Sequence, residues 1–344
     1  MTTLGAQFTA ERFDECIASV RAAEEAGYSH AWFVDSQILW EDCYVYITRA
    51  LAETSRITLG TAVTNPYTRH VTTTASIYGT LARLHPGRLE LGIGRGDSAV
   101  RSMGMEPVRT SFLRESIPVL RDLLAGRKVA INGTDVYLPW LEGRPAGVPI
   151  MMAATGPRNL RAAGALADRV MLYVGVDRAA LEWAIGHVRA GAEGAGRDPD
   201  AVRFSILTAM WVSDDQEEAW SRCRWAPAAC ANHIADTMRR NPEHGMPEVL
   251  TRLPAERDAY DYYGGHLKSD ADHTSYLTGA LVDDFALAGS ADKVRAKVRE
   301  LAALGIDEIS CAYHNGTFEQ MATVGREVIA PLGLARPASE EVSA

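Results

Sequence analysis

A short apolar segment followed by an amphipathic one recurs about eight times along this chain, and that alternation limits the fold more than any other feature. Strand-like segments fall at residues 4–8, 31–34, 57–63, 88–93, 148–153, 169–174, 203–212 and 308–312. Apolar residues recur at helical spacing over 13–26, 44–54, 72–84, 112–124, 159–167, 179–195, 291–304 and 318–329. The strand segments are apolar nearly throughout, as strands buried on both faces are, which means a parallel sheet covered by helices. Eight such units within 344 residues predict an α/β fold of the (β/α)8 TIM-barrel type, with an open doubly wound sheet as the alternative. No linker rich in Pro, Gly or Ser divides the chain, so 1–336 reads as one domain and 337–344 as a tail.

One stretch breaks the rhythm. Residues 225–284, between the seventh and eighth strands, show no strand period and carry His233, His244, Tyr260, Tyr262, Tyr263, His266, His273 and Tyr276. In a barrel such an insertion stands above the C-terminal face, where active sites lie. It reads either as a lid and aromatic substrate wall or as a helical subdomain or oligomer interface.

Composition excludes several functions. With 35 basic against 44 acidic residues the net charge is −9, and no basic cluster offers a surface to nucleic acid or an anionic membrane. The five cysteines are odd in number and form no CxxC pair, so neither a disulfide framework nor a zinc site is indicated. No basic-then-apolar leader opens the chain and no uncharged apolar run is long enough to span a bilayer, so a reducing cytoplasm is the expected compartment. Asn132-Gly133-Thr134 and Asn315-Gly316-Thr317 are then chance matches to the glycosylation sequon.

Polar residues at the C-terminal ends of the strands carry the chemistry of a barrel. They are Asp35-Ser36-Gln37, Ala62-Val63-Thr64-Asn65, Gly94-Arg95-Gly96-Asp97, Ala154-Thr155-Gly156-Pro157-Arg158 and Gly175, with Glu11 after the first strand. Gly92 to Gly96 lacks the GxGxxG spacing of a dinucleotide fingerprint and ends a fourth strand rather than a first. Alternate glycines suit a backbone held against a planar or phosphorylated ligand, and Arg95 is a candidate phosphate fork or else a surface arginine. Thr155 to Asn159 reads as a strand end, turn and helix start, hence an anion site or an ordinary capped loop.

Asp35 after Trp32-Phe33-Val34, the run Leu59-Gly60-Thr61-Ala62-Val63-Thr64-Asn65-Pro66-Tyr67-Thr68-Arg69-His70, and Leu91-Gly92-Ile93-Gly94-Arg95-Gly96-Asp97 resemble the bacterial luciferase-like superfamily. The nearest branch by resemblance is the coenzyme F420-dependent methylenetetrahydromethanopterin reductase group, and the likeness spans nearly the whole chain. The resemblance implies a barrel holding coenzyme F420 (an 8-hydroxy-5-deazaflavin) or FMN at its C-terminal face, with a non-proline cis peptide at Ala62-Val63 behind the ring. It implies a cofactor set of Asp35, Trp40, Thr61, Ala62, Val63, Asn65, Gly94, Arg95, Gly96, Ala154, Thr155, Gly156, Pro157, Arg158 and Gly175. Trp40 is read equally as an aromatic wall or as core packing, and His70 as a helix-capping histidine. Two departures stand out: Asp35-Ser36 replaces the usual Asp-His, and Arg69-His70-Val71 the usual Arg-His-Pro.

The activity so implied is hydride transfer between the deazaflavin and a small organic substrate, with Glu11 as first candidate acid and Asp97, Tyr263 and His266 behind it. The acidic, aromatic insertion suggests a neutral or cationic substrate. The alternative is an FMN-dependent monooxygenase supplied with reduced FMN by a separate flavin reductase; a non-catalytic flavin-storage protein is a third reading. Family resemblance also implies a homodimer.

Overall fold

The computed structural model describes residues 1–240, 245–253, 263, 265, 269, 274, 277–313 and 318–334. His266, with His244, Tyr260, Tyr262, His273, Tyr276 and the 337–344 tail, lies outside the described residues. The strands are β1 (Thr3–Phe8), β2 (His30–Phe33), β3 (Thr58–Thr61), β4 (Leu89–Ile93), β5 (Val129–Ile131), β6 (Thr134–Val136), β7 (Ile150–Ala154), β8 (Arg169–Leu172), β9 (Arg203–Val212), β10 (Ala286–Gly289) and β11 (Glu308–Ala312). The helices are α1 (Phe13–Glu25), α2 (Cys43–Glu53), α3 (Val71–Leu84), α4 (Ser98–Arg101), α5 (Thr110–Leu124), α6 (Pro157–Leu166), α7 (Arg178–Gly194), α8 (Gln216–Cys223), α9 (Trp225–Arg240), α10 (Glu248–Thr251), α11 (Gly279–Phe285), α12 (Ala291–Ala303) and α13 (Phe318–Val324).

Parallel pairing runs β11-β1-β2-β3-β4-β7-β8, and β9 joins β8 on one edge and β11 on the other, so the sheet closes on itself. This is the expected (β/α)8 barrel. The helices lie outside it because they present one apolar stripe each; α5, for example, buries Leu113, Ile117, Leu120 and Leu124 on one face. Several start where a short polar side chain accepts an orphan amide, as Asp42 does for Tyr44 and Asp177 for Ala180, each cap contributing about 1 kcal/mol.

Two elements were absent from the sequence reading. β10 lies along the upper part of β9, pairing Ala286 to Ala209 and Gly289 to Val212. β5 and β6 form an antiparallel hairpin whose turn is Asn132-Gly133, both with positive φ (50° and 77°). The tripeptide set aside as a chance sequon is thus a two-residue hairpin turn, whose backbone twist asks for Asn-Gly.

The barrel interior is less apolar than the strand pattern suggests. Its lowest layer comes from alternate strands: His30, Glu90, Arg169 and Glu308, all buried. Arg169 binds Glu90 through Nε (2.8 Å) and Glu308 through Nη1 (3.0 Å), while Trp32 Nε1 donates to the second oxygen of Glu308 (2.6 Å). His30 Nε2 lies 3.4 Å from the other Glu90 oxygen. Burial pushes the Glu90 carboxyl up, but hydrogen bonding to His30 and the Arg169 charge overcome it and hold it down at about 2. Above this layer Trp32, Met151 and Met171 pack together with Ala62, and Ala153 and Leu207 close over them.

Removing Arg169 strands two carboxylates inside the barrel, so Arg169→Met should cost about 3–5 kcal/mol in urea unfolding at pH 7. Because the native Glu90 carboxyl titrates below its unfolded value, its stabilisation is complete above the ordinary carboxylate range and drains away as pH falls toward 2. The stability gap between wild type and Glu90→Gln should therefore be wider at pH 7 than at pH 3; a gap independent of pH would contradict this ionic account.

Candidate active site

At the C-terminal ends of the strands the barrel opens into a cavity of about 610 Å³. Its floor is Gln7, Ala62, Ala153, Met171 and Leu207, the inward-facing residues just above the packed interior. Its walls come from the loops after β2, β4 and β7, and α9 forms the roof with Ala229, Asn232, His233, Asp236, Thr237 and Arg240.

The floor is shaped by the end of β3. The Ala62-Val63 peptide is cis, as the resemblance implied, and both residues line the cavity. Gln7, the inward polar residue of β1, donates from Nε2 to the Ala62 carbonyl (2.8 Å). Thr61 faces away from the cavity: its amide donates to the Tyr78 hydroxyl (3.0 Å) and its own hydroxyl to the Gly92 carbonyl (2.7 Å). Asn65 accepts the amides of Tyr67 and Thr68 and shapes the turn beyond the strand without reaching the cavity.

Asp35 does line the cavity, buried and fully engaged. Thr64 Oγ1 donates to it (2.7 Å), and Arg69 clasps it through Nε (2.8 Å) and Nη2 (3.2 Å). Arg69 also reaches Asp42 (2.8 Å) and lies over the Tyr44 ring at 4.7 Å. Burial works against the guanidinium charge, yet Asp35 and Asp42 raise its pKa above the ordinary value. Beside Asp35, Ser36 occupies the place of the missing histidine and its hydroxyl meets that of Ser98.

Arg95 corrects an expectation. It lines the wall with Gly94 and Gly96, but its Nε and Nη2 donate to the backbone carbonyls of Val108 and Pro107, fastening the loop that leads into α5. Burial first, and then the charge of Arg240, lower its pKa. The free cations are elsewhere: Arg109 and Arg158 line the cavity, exposed, and neither is ion-paired with a described residue. They flank the starts of α5 and α6, neither of which has a side-chain cap, and Thr110 Oγ1 donates to Asn159 Oδ1 (2.5 Å) between the two first turns. Two helix N-termini, Thr155, Gly156 and two arginines make this corner an anion site. The lining as a whole holds Arg95, Arg101, Arg109, Arg158 and Arg240 against Asp35, Asp97 and Asp236, a basic balance the acidic insertion did not suggest.

Above, charge pairs tie the roof to the wall. Arg101 binds Asp97 (2.7 Å) beside it and Asp236 of α9 (2.6 Å), and Arg240 reaches Glu106 (3.0 Å). The other oxygen of Asp97 lies 3.5 Å from His233 Nε2, and the His233 ring stands edge-on to Tyr173, centroids 5.2 Å apart.

Of the expected cavity residues, Asp35, Ala62, Val63, Gly94, Arg95, Gly96, Asp97, Ala154, Thr155, Gly156, Pro157 and Arg158 are brought together. The others are not. Glu11 is exposed, accepts from the Thr9 hydroxyl (2.9 Å) and stays off the cavity, because the chain turns outward through Arg12 at φ 50°. Tyr263 is 68% exposed and donates to the Ser102 carbonyl (2.7 Å) rather than facing inward. Trp40 packs on the core, the second of its two readings. Gly175, at φ 82°, is a packing site: a Cβ there would lie 2.7 Å from the Asp284 carbonyl and 2.6 Å from the Phe285 ring. His70 caps α3 by accepting the Thr72 amide, as read. Gln7, Arg69, Arg109, Tyr173 and His233 were missed as site residues; Gln7 alone left a signal, a lone amide at an inward position of an apolar strand.

With the geometry in place, the comparisons decide the family. A family model described as luciferase-like monooxygenase matches residues 1–308. The chain belongs to the luciferase-like monooxygenase family. Within it, the chain is 31% identical over 319 residues to the 5,10-methylenetetrahydromethanopterin reductase of Methanolobus tindarius, covering 90% of this chain and 94% of that one. It is 31% identical over 281 residues to the F420-dependent glucose-6-phosphate dehydrogenase of Beutenbergia cavernae, covering 75% and 82%. Among solved structures of this luciferase-like fold, the coenzyme F420-dependent tetrahydromethanopterin reductase of Methanopyrus kandleri superposes with a TM-score of 0.74 at 22% identity, covering 96% of this chain and 99% of that one. Among the described residues no helix is long and apolar enough to cross a membrane.

Arg69→Met would leave Asp35 buried with only the Thr64 hydroxyl. A loss of about 3 kcal/mol in urea unfolding is expected, against under 1 kcal/mol for a merely exposed pair such as Arg178–Glu182.

Proposed function

We propose that this protein transfers hydride between coenzyme F420 and a small organic substrate at the barrel mouth. The observation that carries the reading is a cavity with a floor of small and apolar residues beside Gln7 and a corner where two helix N-termini meet two exposed arginines. The relatives named above, two of them F420-dependent by name, support F420 over FMN.

The residues fit such a coenzyme. Ala62, Val63 and Ala153 carry side chains too small to obstruct a planar ring, and Gln7 holds the Ala62 carbonyl in place behind it. Asp35, clasped by Arg69 and Thr64, offers a fixed polar edge. Thr155, Gly156, Arg158 and Arg109 would receive the phosphate. Bound there, a reduced deazaflavin supplies a hydride at its C5 and, lacking the flavin N5, none of the oxygen chemistry of FMN. α9 would cover the substrate and exclude water. Among the described residues, Asp97 is the expected acid that lines the cavity. The homodimer implied by resemblance belongs to the same proposal and is checked by light scattering.

Titration of the purified protein with F420, followed by its fluorescence, should saturate at one equivalent per chain, whereas FMN should bind at least tenfold more weakly. Arg109→Glu with Arg158→Glu should weaken F420 binding by tenfold or more while leaving the urea midpoint unchanged. Stoichiometric FMN binding with oxygen uptake in the presence of a flavin reductase would instead establish the monooxygenase reading.

A further inference from the structure

We infer that His233 is the acid–base group of this site, exchanging a proton with the substrate heteroatom as hydride passes to or from the adjacent carbon. The inference rests on the proposed hydride transfer and goes beyond it by naming the proton's donor.

Gln7 is the one polar residue named in the floor, whereas α9 brings Asn232, His233, Asp236, Thr237 and Arg240 to the roof, so a ring held against Ala62 and Val63 would leave the substrate to face the roof. A reducible C=O or C=N group gains a hydride from the ring side at carbon, and its heteroatom must then be protonated from the roof side. The carboxylates lining the cavity are already engaged by the protein: Asp97 and Asp236 are ion-paired with Arg101 and Asp35 with Arg69. Of the other expected donors, Glu11 and Tyr263 lie off the cavity, and His266 lies outside the described residues. His233 is the one imidazole among the described lining residues, and imidazole is the side chain suited to both giving and taking a proton near neutrality. Its setting is that of an oriented base. Nε2 faces Asp97 at 3.5 Å, the ring edge is set by Tyr173, and Asp97 is itself fixed by Arg101 at 2.7 Å. Nδ1 is left to meet the substrate. The charged or titratable groups facing it are Asp97 and Arg101 from the wall, Asp236 on its own helix and Tyr173 from the end of β8.

The step balances. The carbon–heteroatom π pair moves to the heteroatom as the hydride bond forms at carbon. The N–H bond of the imidazolium breaks toward that heteroatom, leaving neutral imidazole, and the coenzyme is oxidised by the two electrons the substrate gains.

The test is single-turnover oxidation of bound, reduced F420 by four probes, propanal, cyclohexanone, 1-pyrroline and 2-cyclohexenone, with F420 affinity measured beside it. His233→Ala should keep the affinity within twofold, slow the fastest probe by 10²- to 10⁴-fold, and recover part of the rate on adding imidazole. Asp97→Asn, acting through His233 as a positioning residue, should slow the step about tenfold yet leave the imidazole-rescued rate of His233→Ala unchanged, since a free imidazole needs no carboxylate to orient it. Failure of F420 to bind wild type overturns the functional reading, and this one with it. Binding without hydride transfer to any probe, a His233→Ala rate within threefold of wild type, or a loss that imidazole does not restore overturns the assignment of His233 alone.

Discussion

Arg169 is the interaction on which the rest of the barrel is built. It reaches across the interior from the sixth barrel strand to Glu90 on the fourth and Glu308 on the eighth, and Trp32 on the second closes the set through Glu308. Taking three charges out of water is costly, and their attraction offsets the cost only with close geometry and every oxygen engaged. That requirement specifies register: a strand shifted by one residue would turn its member outward and leave the others buried without a partner. The ionic layer therefore sets the height at which Trp32, Met151 and Met171 pack, and they in turn set the height of the cavity floor.

A second clasp of the same kind shapes the mouth. Asp35 and Arg69 come from the loops after the second and third strands, and the Thr64 hydroxyl joins them. The loops that border a ligand are held here by buried charge rather than by apolar packing, so the wall is polar without being loose. The anion corner is the counterpart. Its arginines are exposed, and neither is ion-paired with a described residue.

Much of this was legible in the sequence. Strand–helix alternation and the Leu59–His70 run led to the barrel, its family and several of the loops that line its mouth, and most of the helix bounds fall within two residues of those expected. The regular part of β3 stops at Thr61, short of the expected 63, where the backbone enters the cis step, although Thr64 still bridges to Ile93. The ionic layer was hidden because His30, Glu90, Arg169 and Glu308 are single polar residues at the edges of apolar runs; only the register reveals that they face one another. Glu11 misled because two residues beyond a strand end decide whether a side chain faces the mouth or the solvent, and a left-handed turn at Arg12 is not written in its residue type. His233 was unreadable for a different reason. A histidine within an insertion has no strand end to mark it, and its value comes entirely from where α9 is laid.

How α9 is laid has a consequence for traffic through the mouth. The barrel's own charges are out of reach of dissolved ions, whereas the roof is fastened partly by a pair that remains in contact with solvent, Arg240 with Glu106. Mobile counterions weaken exposed pairs within a Debye length of about 8 Å at physiological ionic strength and leave buried ones nearly untouched. Added salt thus acts on the door and spares the frame, which makes the rate of ligand entry and exit, rather than the melting of the fold, the quantity tied to the ionic medium.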